Sequence, residues 1–135
     1  MPMMSLSDAD RVWNRAATQG GGKSPMDGDK ALSSLLLFHG LAMNGGVHHA
    51  LEVMEPAELE AARAGFNYFG LSDVAAYLEK TDRAPLAEWT DSSEVEANAA
   101  YSRMVPNDDH LARHFESDFS QRRDAYSPLS ANDAC

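Results

Sequence analysis

Isoleucine is absent from this chain, and valine and threonine together number nine against 21 alanines. Side chains branched at Cβ favour strands and alanine favours helix, so their scarcity excludes a sheet-rich fold and predicts an all-α domain. Cysteine occurs once, as Cys135. No internal disulfide can form, and the chain reads as a protein of a reducing compartment, the cytoplasm. Basic residues are also short: 11 Lys+Arg stand against 21 Asp+Glu, for a net charge of -10 and a pI near 4.7. That balance argues against direct contact with a nucleic-acid backbone or an anionic membrane and favours a basic protein surface as partner.

Long apolar runs are missing too. The stretch Ala31 to Met43 is interrupted by Ser33, Ser34 and His39 and falls short of the ~20 residues that cross a bilayer. Met1 to Arg11 has neither the basic nor the apolar part of a secretory signal.

What is present is enough for one core. A chain of 135 residues, 44% hydrophobic, fits a single domain, and at that size folding removes roughly two-thirds of the unfolded surface from water. Apolar spacing at three to four residues predicts six or seven helices in one compact unit, 1–125, followed by a flexible tail, 126–135. The first helix runs from Ser7 to Thr18, with Ser7 and Asp10 spaced as a capping box; it ends at Gly20, Gly21 and Gly22, which form a joint. A central helix begins near Asp29, buries Leu32, Leu35, Leu36 and Phe38, and stops at Asn44, Gly45 and Gly46. A short helix over Val47 to Met54 follows, then one opened by Pro56 and closed near Gly70. Another opens at Ser72 or Asp73, and Pro85 marks a further turn. Ser93 and Glu96 are spaced as a second capping box, and a last helix starts near Asp108 with Leu111, Phe115 and Phe119 inward. On its outer side Asp109/Arg113 and Asp118/Arg122 are spaced as i,i+4 pairs.

The negative charge is unevenly spread. Residues 1–50 are neutral, with four acids and four bases, so the remaining 85 residues carry the whole -10. The segment 88–118 alone carries -6, from Glu88, Asp91, Glu94, Glu96, Asp108, Asp109, Glu116 and Asp118 against Arg103 and Arg113. These eight acids are the candidate partner-binding face.

Residues that commonly carry chemistry form weaker patterns. His110 and His114 share a helical stripe with Asp118, the spacing of metal ligands, but a zincin requires a glutamate after the first histidine and Leu111 stands there. They read first as two solvated histidines, with a metal-dependent hydrolase as the alternative. His48 and His49 follow a Gly-Gly turn; one is expected to cap the carbonyls of the preceding helix and the other to face water. His39 reads as a hydrogen-bonded core histidine. The run GGGKS at Gly20 to Ser24 lacks both the spacing and the preceding strand of a phosphate-binding loop, so it is a linker. Cys135 has no base near it in sequence, which leaves no nucleophile to assign.

The run LLLFHGLAMNGGVHHAL, with Asn44, Gly45 and Gly46 closing a buried helix, resembles the helical domain of the DNA-mimic-protein family. Ala62 to Leu78 is similar to that family's pair of helices joined at a glycine, and DDHLARHFESDF to its final acidic helix. The resemblance covers about two-thirds of the chain and implies an all-helical domain; the family, mostly of unknown function, offers no catalytic residues to carry over, and no cofactor is expected. It also implies an acidic surface able to imitate DNA toward a DNA-binding regulator. Val47 departs from the pattern, since an aromatic residue usually follows the two glycines. The averaged charge is too dilute for mimicry. Over a surface of roughly 6,900 Å² the net charge amounts to about one per 700 Å², whereas duplex DNA presents about one per 100 Å². Mimicry would therefore need a patch. The expected function is a non-enzymatic interaction domain binding a basic protein, either a DNA-binding regulator or, as an immunity or antitoxin protein, a basic toxin or nuclease.

Overall fold

The computed structural model describes residues 7–83 and 89–129. Seven α-helices and one closing 3₁₀ turn make up the described residues, with no strand among them, as the lack of Cβ-branched residues predicts. Helix α1 spans Asp8–Gln19 and is closed at its start by the expected reciprocal cap: the Asp10 amide donates to Ser7 Oγ at 3.0 Å, and the Ser7 amide to Asp10 Oδ2 at 3.4 Å. Gly20, Gly21 and Gly22 all have positive φ. Their joint is a tight turn, not an open linker: a Cβ on Gly22 would lie 3.0 Å from the Arg15 side chain.

Helix α2, Asp27–Gly45, is the centre of the molecule, packed on by α1, by α3 (Val47–Val53) and by α4 (Pro56–Tyr68). Leu32, Leu35 and Phe38 are sealed from solvent, each burial contributing about 1.5 to 3 kcal/mol. Two of the expected boundaries move. The helix starts two residues before Asp29, whose carboxylate reaches back from the first turn to accept the Met26 amide at 3.0 Å. It also runs through Asn44 and Gly45 and breaks only at Gly46, where φ is +98°. At the α2/α4 crossing, Gly65 lies so close to the Ala31 carbonyl that a Cβ there would sit 2.4 Å from its oxygen. Pro56 occupies the first turn of α4, as expected.

Helix α5 covers Ser72–Asp82, and Pro85 lies outside the described residues. Helix α6, Asp91–Met104, is capped by Thr90 and Ser93, not by Ser93 and Glu96. The two patterns differ by one helical turn, and the threonine one turn earlier takes the position. Helix α7, Asp108–Gln121, is capped by Asn107 and buries Leu111, Phe115 and Phe119 as predicted. Phe115 centres an aromatic cluster with Trp13, Phe69, Phe119 and Tyr126, at ring separations of 5.6 to 6.4 Å.

The body extends past residue 125. After the 3₁₀ turn Arg123–Ala125, Tyr126 is 3% exposed, and the next residues are held by a buried ion pair between α1 and α2. Arg15 donates to Asp29 Oδ1 at 2.9 Å and to the Ser127 and Pro128 carbonyls at 2.9 and 3.2 Å. The Ser127 amide donates to Asp29 Oδ2 at 2.7 Å. Residues 126–129 of the expected tail thus belong to the body; 130–135, with Cys135, lie outside the described residues.

Candidate interaction surface

Of the eight acids singled out by sequence, Glu88 lies outside the described residues. Asp91 and Glu96 project into solvent from the first half of α6, while Glu94 is half-buried beside Gly46. The middle of α6 closes the α2/α3 junction, where Asn98 Oδ1 accepts the Val47 amide at 2.8 Å. Sequence gives no sign of Asn98's role, because the two residues are 51 apart.

On α7, Asp109 and Glu116 are exposed, and Asp108 is mostly so. Asp118 is not available to a partner: its side chain is 11% exposed. It accepts from Arg122 Nε at 2.7 Å and from the Tyr126 hydroxyl at 2.7 Å. The expected i,i+4 pair with Arg122 forms, but on the body side. Arg113, the other expected partner, donates to the Asp109 backbone carbonyl instead of its carboxylate.

Tyr126 ionises well above the ordinary phenol range, first because it is buried and second because it donates to Asp118. Tyr68 is pushed up to about 12 by burial and then by the nearby charge of Asp118.

Asp108 is oriented by a chain of hydrogen bonds that joins three helices. His39 on α2 places Nε2 2.7 Å from Asp108 Oδ1 and Nδ1 2.7 Å from the Tyr101 hydroxyl on α6. An ionised carboxylate only accepts, so His39 donates from Nε2, and in that tautomer of the ring Nδ1 is left to accept the Tyr101 proton. Burial, and then the Asp108 charge, raise the Tyr101 pKa, which keeps that phenol a donor. His39 is therefore the hydrogen-bonded core histidine its setting predicts. Tyr101 is 2% exposed, so the chain of bonds ends in the core.

The other histidines are placed differently from one another. His48 is buried with its ring stacked on Trp89 at 4.6 Å, in place of the expected helix cap, while His49 faces solvent and covers Gly45. His114 Nδ1 lies 2.8 Å from the Phe69 carbonyl and takes its proton there to donate. His110 packs beside it, at 5.1 Å between rings. Asp118 is turned toward Tyr126, and among the described residues no group of three or more His, Cys, Asp or Glu side chains converges as a metal site.

The acids of α7 meet a fourth carboxylate from outside the acidic segment 88–118. Asp10 of α1 joins Asp108, Asp109 and Glu116 around a concavity of about 270 Å³, floored by Ala9, Trp13, Ala112 and Phe115 and lined by no Lys or Arg. Trp13 of α1 is half-buried: one side packs on Phe115 at 5.9 Å between rings and the rest borders this hollow. A tally of charge along the chain misses Asp10 because its segment is neutral. Its position one turn before Trp13 was the available signal.

No described helix is long and apolar enough to cross a membrane. Comparison with protein-family models, curated proteins and solved structures finds no match to this chain.

Proposed function

We propose that this chain is a non-enzymatic protein-interaction domain that engages a basic protein surface through carboxylates on α1 and α7, in the manner of the DNA-mimic family it resembles. The observation that carries the reading is the α1/α7 concavity, where Asp10, Asp108, Asp109 and Glu116 stand over an aromatic floor with no base among the lining residues. Such a hollow suits a lysine or arginine head, which gains both carboxylate partners and an aromatic face. The whole surface is a poor mimic of DNA, since -10 spread over 7904 Å² is about one charge per 790 Å². A local face is what remains.

The test is affinity capture from the native host's lysate with the intact chain and with the double variant Asp109→Lys, Glu116→Lys. These two positions are chosen because Asp108 and Asp118 hold structural hydrogen bonds. A basic protein retained by the first, lost from the second and released by salt supports the reading; identical eluates from both refute it. If the captured protein is a nuclease or toxin, the immunity reading replaces the regulator one on the same surface.

A further inference from the structure

Four glycines lie within helices, and three have a reason inside the molecule. A Cβ on Gly28 would lie 2.5 Å from the Tyr126 ring, one on Gly45 2.5 Å from the His49 ring, and one on Gly65 2.4 Å from the Ala31 oxygen. Among the described residues Gly40 has none: a Cβ there meets nothing within 4 Å, and its φ is not left-handed. Glycine in a helix interior costs about 1 kcal/mol relative to alanine, and this one sits in the longest helix without serving the fold.

Gly40 is part of the floor of a groove of about 620 Å³ between α1 and α2. Leu37 beside it is 43% exposed, and Met43 further along α2 is 59% exposed. From Ala31 to Leu51 the chain carries no Asp, Glu, Lys or Arg. Trp13 and Asp108 line this groove and the acidic concavity alike, so the two form one trough. One half is apolar with backbone laid bare at Gly40, and the other is ringed by carboxylates.

We infer that the trough receives an amphipathic, basic helix of a partner protein. The helix lays its apolar stripe over Gly40 and Leu37 and its Lys or Arg side chains against Asp108, Asp109 and Glu116. A missing side chain lets a second helix approach to the short end of the 8–10 Å range of interaxial distances, and apolar anchors at helical spacing fit a groove of this kind. The occupant is not a second copy of this chain, because none of the seven described helices carries a net positive charge: α1 is neutral and the other six are acidic. The inference rests on the acidic-surface reading above and adds the shape of what binds.

Fluorescence anisotropy with three labelled peptides tests the two separately: an amphipathic Leu/Lys helix of about eighteen residues, a scrambled peptide of the same composition, and oligolysine. The amphipathic peptide should bind at least about tenfold more tightly than the scrambled one. Gly40→Gln, which improves helix propensity and meets open space, should remove that preference while leaving oligolysine binding unchanged and the melting temperature no lower than that of the wild type. Equal binding of the amphipathic and scrambled peptides, or indifference to Gly40→Gln, overturns the helix and leaves the acidic surface standing. Absence of binding by all three overturns both. Self-association in sedimentation that Gly40→Gln abolishes also overturns it, by naming a second copy as the occupant.

Discussion

Two positions in helix α2 use the same residue type for opposite purposes. At the start, Gly28 makes room for the Tyr126 ring, and Asp29 is fully buried with its oxygens divided among Arg15 and the Met26 and Ser127 amides. Every feature there is answered by another part of the chain. Twelve residues on, a Cβ at Gly40 would meet no described atom within 4 Å, and the apolar Leu37 and Met43 on the same helix are exposed. The contrast separates constraint that stabilises the fold from constraint that the fold alone does not account for, and mutation can test the division directly.

Asp29→Ala should have the largest effect. It leaves the Arg15 guanidinium buried without its carboxylate and frees the 126–129 segment, and breaking a buried pair from one side costs about 3 to 5 kcal/mol. The denaturant midpoint should fall accordingly, and the C-terminal segment should become sensitive to limited proteolysis. Gly28→Ala comes next at about 1 to 3 kcal/mol, the usual cost of overpacking, because its Cβ meets both the Tyr126 ring and the Ala125 carbonyl. A melting temperature equal to wild type would show that Tyr126 is not docked as described.

High pH should weaken both ends of the molecule. Tyr126 and Tyr101 hold their protons more tightly than a free phenol, and Tyr68 is pushed up to about 12. Raised folded pKa values contribute stability that is fully present below the unfolded value near pH 10 and is lost as the pH climbs through the folded values. Tyrosinate absorbance near 295 nm should therefore lag the ordinary phenol curve and rise together with loss of helical circular dichroism. A simple titration about pH 10 with the helices intact would contradict the packing of all three.

Gly40→Ala reverses the sign. It should stabilise the protein by about 0.5 to 1 kcal/mol, the propensity difference with no clash to offset it, and a loss of stability would remove the distinction between the two glycines. Asp109→Lys with Glu116→Lys should shift the unfolding free energy least, within about 0.5 kcal/mol at each site, since among the described residues no hydrogen bond to either carboxylate supports the fold. That silence in stability makes the pair a clean probe of binding.

Much of the fold was legible because it is written locally. Ser7 and Asp10 cap their own helix, Pro56 fits a first turn, and Leu111, Phe115 and Phe119 mark one face of α7 by spacing alone. The errors occurred where a residue's task depends on a distant partner. Asp29 marks the start of α2 and does accept the Met26 amide, but its second task, as buried counter-charge for Arg15 14 positions away in sequence, has no local sign. Asp118 has the spacing of an outer acid and Tyr126 opens the expected tail, yet each holds the other in place. The acidic candidate was half legible. Asp109 and Glu116 are exposed as expected, but Asp10 completes the hollow from a segment that is neutral overall.

Residue types and short-range spacing by themselves determined that this chain is helical, where most helices begin, and that its acids outnumber its bases. Propensity, capping and the 3.6-residue period act within a few positions, so these features need no knowledge of the rest of the molecule. Only the tertiary structure decided which acids are left for a partner, that Trp13 lines a trough instead of closing a core, and that Gly40 lies bare. Each of these depends on what another helix does or does not place against it, and that is a property of packing across long sequence separations.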